Sequence, residues 1–167
     1  MNNLKTYLAG PINRKNPEAF AYAKKWREDI AVELKAMNID SLDPLKKTGG
    51  DSITPEQHNR FKVACSEGDL ETINDIVANI IIPNDLVMVK NCDFLTLYLP
   101  KRDEYEICGT YGEATLAKYL GIPVYLVTER ENKEIPEWLI GCCKDVFNSW
   151  DAYLLHIFNE YHSTVVN

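Results

Sequence analysis

The segment 93–99 (DFLTLYL) constrains the fold of this chain most, because nearly all of its residues are apolar. A strand with one face in water alternates apolar and polar residues, whereas a strand covered on both faces of a parallel sheet reads as a continuous apolar run. The segment is therefore predicted to be a central strand of a parallel sheet with helices on both sides.

Strand and helix patterns alternate along the rest of the chain. Further strands are predicted at 4–9, 39–44, 122–128 and 145–147. Helices are predicted from apolar spacing and capping residues at 17–37, 55–64, 69–80, 83–90, 109–121, 136–143 and from 150 onwards. This order predicts a doubly wound α/β fold of the flavodoxin/Rossmann-like kind, with a mostly parallel sheet of about five strands.

Size and charge narrow the class of protein. A chain of 167 residues is long enough for one domain, here 1–167, that needs neither disulfides nor metal to hold its core. Lys and Arg number 18 and Asp and Glu 25, which gives a formal net charge of −7. This charge repels a phosphate polymer, so nucleic-acid binding is not expected, whereas a local pocket can still bind a small nucleoside.

The N-terminal residues and the cysteines predict a cytoplasmic protein. The start MNNLKTYLAGP carries one Lys and no apolar run long enough for a signal peptide or a membrane span, so no membrane partner is expected. The five cysteines are odd in number and lack CxxC spacing, which favours reduced thiols. The three histidines fall in no zinc-ligand spacing, so no metal is expected.

Glu113 is the first candidate for chemistry. In a doubly wound sheet the ligand crevice lies beyond the carboxyl ends of the strands. Glu113 lies in the first turn of the helix after the apolar strand, so it is predicted to face that crevice and to stay ionised in the field of the helix end. Residues 45–53 (LKKTGGDSI) are polar and turn-rich and are the candidate for a mobile lid.

Each candidate also has a purely structural interpretation. Thr110 and Glu113 fit a T-x-x-E capping box, and spacing alone favours this role for Glu113. Asp85 lies near a helix start, where the dipole favours an acid without any function. Asp93 can simply begin its strand, and Tyr7 can simply belong to the core.

Two other chemistries are not predicted. Cys92 and Cys108 flank the apolar strand and its loop, but no His stands in a partnering motif, so a thiol nucleophile lacks a base. Gly109 and Thr110 open a helix, but neither glycine-rich phosphate-binding motif occurs.

Four segments together resemble the nucleoside 2-deoxyribosyltransferases. They are 7–12 (YLAGPI), 84–86 (NDL) with Asp85 eight positions before Asp93, 109–113 (GTYGE) and 121–124 (GIPV). The resemblance covers roughly residues 4 to 150, and the order and spacing of the segments make it more specific than any one of them.

The resemblance implies a role for each matching residue. Glu113 would be the nucleophile that attacks C1′ of the sugar, and Asp85 would handle the proton of the departing base. The implied substrate-binding residues are Tyr7, Gly10, Asp93, Gly109 and Thr110, together with Asp145 (or Asn148), which would reach the site of a neighbouring subunit. A homo-oligomer is therefore implied as well.

The residue types suit the chemistry that the resemblance implies. Cleavage of the bond between C1′ and a base nitrogen develops positive charge on the sugar and negative charge on the base, so a carboxylate and an acid are needed. A 2-deoxyribosyl ester on Glu113 would then pass to a second nucleobase or to water. No metal or redox cofactor enters.

Ile107 departs from the pattern of the resembled proteins. Where the transferases tend to carry Asp and related nucleoside-monophosphate glycosidases tend to carry Ser, this chain has Ile107, and Asp103 or Glu106 are candidates to replace that function. Three functions therefore stay open: a deoxyribosyltransferase, a (deoxy)nucleoside 5′-monophosphate N-glycosidase, and a non-catalytic nucleotide-sensing module.

Overall fold

A computed structural model describes residues 3–46, 53–101 and 108–162. Most of the candidate lid at 45–53 lies outside the described residues. The positions Asp103, Glu106 and Ile107 lie outside them too.

Five parallel strands form one sheet in the order β2-β1-β3-β4-β5. The strands are β1 (Leu4–Ala9), β2 (Ile39–Leu42), β3 (Phe94–Leu99), β4 (Val124–Thr128) and β5 (Asp145–Phe147). All six residues of β3 are buried, as the apolar pattern predicts for a central strand. The predicted α/β sheet is confirmed, and the described strands are parallel throughout.

Seven α-helices connect or follow the strands in the described ranges. They are α1 (Pro17–Ala36), α2 (Pro55–Glu67), α3 (Leu70–Ile76), α4 (Ile82–Lys90), α5 (Cys108–Tyr119), α6 (Glu137–Cys142) and α7 (Trp150–His162). A π-helical turn, Val77–Ile81, joins α3 to α4, and a 3₁₀ turn, Asn132–Glu134, precedes α6.

Side-chain caps fix where two helices begin. The Asn16 side chain accepts hydrogen bonds from the amides of Glu18 and Ala19, which starts α1. Thr54 and Gln57 form a reciprocal capping box at the start of α2. Both caps satisfy amides that lack partners within a helix, and both were predicted from the sequence.

Helices cover both faces of the sheet, as a doubly wound fold requires. On one face, α4, α5 and α6 pack on alternate strand residues such as Tyr7, Leu97 and Leu126. On the other face, α1 and α7 pack on the intervening residues, of which Leu8 and Tyr98 are examples. Since successive side chains of a strand point to opposite faces, the position of Tyr7 in β1 directs it towards α5.

The helix break predicted at Pro83 does not occur. Residues 70–90 are helical throughout, with the π-helical turn just before Pro83. In a regular helix the proline ring clashes with the carbonyl four residues earlier, that of Asn79, and the proline supplies no N–H. The wider π turn accommodates both defects, so α3 continues into α4 without a loop.

The same stretch, Leu70–Lys90, has the length and apolar composition of a membrane-spanning helix. Among the described residues it is the one helical stretch that meets this criterion, which rests on length and composition alone. In the fold it forms part of a cavity wall, to which Ile73, Val77, Ile81 and Asp85 contribute. The absence of a membrane partner stays a prediction.

Candidate functional site

The strand order creates a crevice between β1 and β3. The chain leaves β1 towards α1 on one face of the sheet and leaves β3 towards α5 on the other. In a sheet of order 2-1-3-4-5, ligands bind where the connections diverge in this way, beyond the carboxyl ends of the strands. A cavity of about 370 Å³ lies at this point.

The cavity combines polar and apolar walls. Its polar side holds two carboxyl and two cationic side chains: Glu113, Asp85, Arg14 and Lys15. Its apolar side comes largely from α2, α3 and the π-helical turn. The residues that line it are Gly10, Ile12, Asn13, Arg14, Lys15, Phe61, Cys65, Ile73, Val77, Ile81, Asp85, Gly109, Thr110 and Glu113.

Glu113 lies against the sheet and not against its own helix start. Because α5 begins at Cys108, Thr110 is already inside the helix and does not cap it. The Oε1 atom of Glu113 instead accepts a hydrogen bond of 2.7 Å from the hydroxyl of Tyr7. The capping-box interpretation is therefore wrong, and Glu113 is held at the cavity by β1.

The charge state of Glu113 is a balance of opposing effects. Burial raises the pKa of the Glu113 carboxyl, while the Tyr7 hydrogen bond and the positive charge of Arg27 lower it. The expectation that the helix end alone keeps Glu113 ionised is thus corrected. The carboxylate depends on a hydroxyl donor from β1 and a cation from α1.

Asp85 faces the same cavity from α4. Burial, followed by repulsion from Glu113, raises the pKa of Asp85 to about 7, against the opposing charges of Arg14 and Arg27. Within the described part of the chain, the Oδ1 atom of Asp85 is buried without a hydrogen-bond partner. A buried oxygen that the protein leaves unbonded is costly, so this atom is available to a ligand.

Tyr7 lies beneath the cavity instead of lining it. Its side chain is fully buried, and its pKa is raised well above the usual value by burial and by the charge of Glu113. The phenol therefore stays protonated and donates to Glu113. The sequence placed Tyr7 in the cleft, whereas the structure makes it the support of Glu113.

Gly10, Gly109 and Thr110 lie at the cavity as expected. At Gly10 a Cβ atom would come within 2.9 Å of both the Trp26 ring and the Tyr98 carbonyl oxygen. Only glycine fits this close approach of the backbone after β1.

Asp93 and Asp145 are not brought to the cavity of their own chain. Asp93 precedes β3 and accepts a hydrogen bond of 2.7 Å from the amide of Lys5, at the amino edge of the sheet. The expectation that Asp93 lies near the pocket is corrected, because six strand residues separate it from the carboxyl edge. Asp145 begins β5 at the amino edge as well. Its contribution to a neighbouring subunit stays a prediction.

Sequence reasoning missed Arg27, which is fully buried in α1. Its guanidinium donates to the carbonyl oxygens of Leu8, Ala23 and Gly10 at 3.2, 2.9 and 2.9 Å. A signal was present, since Arg27 falls on the apolar face of α1 with Ala23, Ile30 and Leu34. A cation at such a position needs buried partners.

A second depression, of about 760 Å³, lies on the surface of α5 and α6. It is larger but is lined by Tyr111, Gly112, Thr115, Leu116, Tyr119 and Trp138, without a carboxyl or imidazole group. Across the described ranges, no group of three or more His, Cys, Asp or Glu side chains has the placement of a metal site. The cavity at Glu113 is thus the better candidate for acid–base chemistry.

The sequence matches no protein-family model. It also matches no curated protein.

Solved structures match over nearly the whole chain. One is a 2-deoxyribosyltransferase from the psychrotolerant bacterium Bacillus psychrosaccharolyticus, described as a biocatalyst for the synthesis of antiviral and antitumoral nucleosides. It is 18% identical, with a TM-score of 0.56 over 90% of each chain. Another is a conserved protein from Enterococcus faecalis V583, 17% identical, with a TM-score of 0.56 over 95% of this chain and 99% of that one. The chain therefore shares the fold of a 2-deoxyribosyltransferase, the fold that the sequence resemblance implied.

Proposed function

We propose that the protein transfers 2-deoxyribose between nucleobases through a covalent intermediate on Glu113. The observation that carries this proposal is the pairing of two different carboxyl groups in one cavity. Glu113 is bonded by Tyr7, and Asp85 has a pKa of about 7 and a buried oxygen without a partner among the described residues. Two carboxyls in different environments are what glycosidic cleavage by an acid and a nucleophile requires.

In the first step Glu113 attacks C1′ of a deoxynucleoside. Its Oε1 atom is bonded by Tyr7, so the second carboxylate oxygen forms the new bond to C1′. The bond from C1′ to the base nitrogen breaks with its electron pair on the base, and protonated Asp85 supplies a proton to that base. The products are a 2-deoxyribosyl ester of Glu113, a neutral base and ionised Asp85.

In the second step another nucleobase displaces Glu113 from C1′. Ionised Asp85 accepts the proton that the incoming nitrogen loses, and the ester bond breaks to restore the Glu113 carboxylate. Two successive displacements retain the configuration at C1′. The apolar wall that includes Phe61 and Ile73 offers a surface for the flat face of an incoming nucleobase, which suits transfer to a base.

Base exchange tests this function directly. The protein is incubated with a purine or pyrimidine deoxynucleoside and a second free base, and the exchanged nucleoside is measured by chromatography. Glu113→Gln should abolish exchange, whereas Asp93→Asn is the matched control at the other edge of the sheet. Binding of nucleosides without any product, for every donor tested, would instead indicate a sensing module.

A second candidate is hydrolysis of deoxynucleoside 5′-monophosphates. Two cations, Arg14 and Lys15, lie in the cavity together with the amino-terminal residues of α5, a setting that suits a phosphate group. Release of free base from a 5′-monophosphate, but not from the nucleoside, identifies this activity. Lys15→Gln should then raise the KM for the monophosphate alone.

We further propose that the protein is a homo-oligomer in which Asp145 approaches a neighbouring cavity. The helical stretch 70–90 leaves Leu70, Ile82 and Val87 exposed by 76%, 46% and 55%, a surface that a second copy can cover. Light scattering of the purified protein measures the subunit number. A monomer at all concentrations, with full activity, would contradict the proposal.

A further inference from the structure

A buried cation lies behind the proposed nucleophile. Arg27 has no exposed surface, and its guanidinium donates three hydrogen bonds to backbone carbonyl oxygens. Two of these carbonyls, of Leu8 and Gly10, belong to the end of β1 and the turn after it. The guanidinium therefore fixes the strand end that carries Tyr7 and the glycine at the cavity.

The charge of Arg27 is shared among several acidic groups. Its Nε atom lies 3.6 Å from Oδ1 of Asp43, and both side chains are buried. At this distance the contact is an ion pair and not a good hydrogen bond, and Asp43 is one of several groups that interact with the charge of Arg27. This charge also acts on Tyr7, Asp85 and Glu113.

The charged and titratable groups around Arg27 come from several elements of the fold, whereas α2, α3 and the π-helical turn contribute apolar side chains and Cys65 to the cavity. The groups that share the field of Arg27 are Tyr7 of β1, Arg14 of the following loop, Asp43 after β2, Asp85 of α4 and Glu113 of α5. Three carboxyls meet three cations, Arg14, Lys15 and Arg27, and of these cations only Arg27 is fully buried. In a poorly solvated region such a cation decides which of the carboxyls is ionised.

Given the proposed role of Glu113, we propose that Arg27 is a positioning residue that holds the end of β1 and keeps the Glu113 carboxylate ionised. Asp43 sets how strong that effect is by partly neutralising Arg27. Arg27 touches neither substrate nor reacting atoms and acts through Tyr7, Gly10 and Glu113.

Two substitutions move the ionisation of Glu113 in opposite directions. Arg27→Met removes the cation that lowers the Glu113 pKa, so the midpoint of the Glu113 titration should rise. Asp43→Asn keeps Arg27 and its hydrogen bonds but removes the neutralising charge, so the Glu113 pKa should fall. A role limited to packing predicts no such pair of opposite shifts.

Carboxyl ¹³C NMR titration of Glu-labelled protein measures these shifts, and the spectrum of Glu113→Gln assigns the resonance. Lys25→Met is the matched control, since Lys25 is an exposed cation of α1 paired with Asp29. Its Glu113 titration should equal that of the native chain. The titration does not need turnover, so it tests Arg27 even where base exchange fails.

The outcomes separate clearly. A raised Glu113 titration midpoint in Arg27→Met, together with a lowered one in Asp43→Asn, supports the proposal. A loss in kcat of Arg27→Met that exceeds its change in KM supports it as well. Unchanged midpoints in folded Arg27→Met and Asp43→Asn overturn it. If Arg27→Met does not fold, an unchanged Glu113 midpoint in Asp43→Asn still overturns the proposal, because all bonds of Arg27 to the backbone stay available in that variant.

Discussion

The hydroxyl of Tyr7 donates a hydrogen bond of 2.7 Å to the Oε1 atom of Glu113, which joins the first strand to the helix after the central strand. Both residues lie on the face of the sheet covered by α4, α5 and α6. The bond orients a buried carboxylate and partly compensates the cost of its burial. Through this bond a strand of the sheet holds the carboxylate that is proposed to attack the sugar.

Removal of this hydroxyl should impair the reaction more at low pH than at high pH. Tyr7→Phe deletes the donor, so the pKa of Glu113 rises further and less of it is ionised. A hydrogen bond to a charged group contributes about 1.5–3 kcal/mol, so kcat/KM near pH 6 should fall roughly 10-fold to 100-fold. The measurement is kcat/KM against pH for both proteins. An equal loss at every pH would show that Tyr7 does not act on the ionisation of Glu113.

The reaction should lose rate as the pH rises through about 7. Asp85, with a pKa raised to about 7 by burial and by Glu113, must be protonated to act as the acid. Glu113 must be ionised, so the rate should also fall at acidic pH. A profile of kcat/KM from about pH 4 to about pH 9 should be bell-shaped, with apparent values that belong to the pair. A flat alkaline side up to about pH 9 would remove Asp85 from the role of acid.

Asp85 should make the fold less stable as the pH rises. A carboxyl that binds its proton more tightly in the folded chain stabilises that state below its unfolded pKa, and the stabilisation is lost as the pH rises through the folded pKa of about 7. Asp85→Asn should therefore exceed the native chain in stability at pH 8 by on the order of 2 to 4 kcal/mol. The two should be nearly equal at pH 4. Urea unfolding of both proteins at both pH values measures this. A stability difference between the two proteins that is the same at pH 8 as at pH 4 would contradict the raised pKa.

A methyl group at Gly10 should be costly. In Gly10→Ala the new Cβ meets the Trp26 ring and the backbone of Tyr98 at 2.9 Å, and backbone cannot move away easily. Overpacking of this kind costs about 1–3 kcal/mol. Gly112→Ala is the matched control, because nothing lies within 4 Å of its added Cβ and alanine favours the helix. Thermal unfolding should show a loss in the first variant only; equal melting temperatures for both would refute the close packing at Gly10.

Local patterns were enough to predict the sheet and most helix starts. The apolar run at β3 and the caps at Asn16 and Thr54 each depend on neighbours within a few residues, so the sequence displays them directly. The continuous helix through Pro83 was missed, because a π turn depends on packing that no propensity encodes.

The site was predicted only in part, because some of its contacts join residues that lie far apart in the sequence. Glu113 was placed at the crevice by the order of strands and Asp85 was assigned to the same site by the resemblance, and the structure brings both to one cavity. Whether Glu113 bonds to its own helix or to Tyr7 is decided by a contact across 106 positions, which spacing does not show. Asp93 was misplaced because the resemblance gave its order along the chain but not the edge of the sheet on which it lies.

The central claim is that Glu113 carries the sugar between two bases. The protein is mixed with a deoxynucleoside, quenched rapidly in acid and digested, and the peptides are weighed by mass spectrometry. The peptide that contains Glu113 should gain the mass of one 2-deoxyribosyl group, and Glu113→Gln should show neither the adduct nor base exchange, with a rate loss on the order of 10³-fold or more. Base exchange that persists in Glu113→Gln, or an adduct on any other residue, would contradict the account.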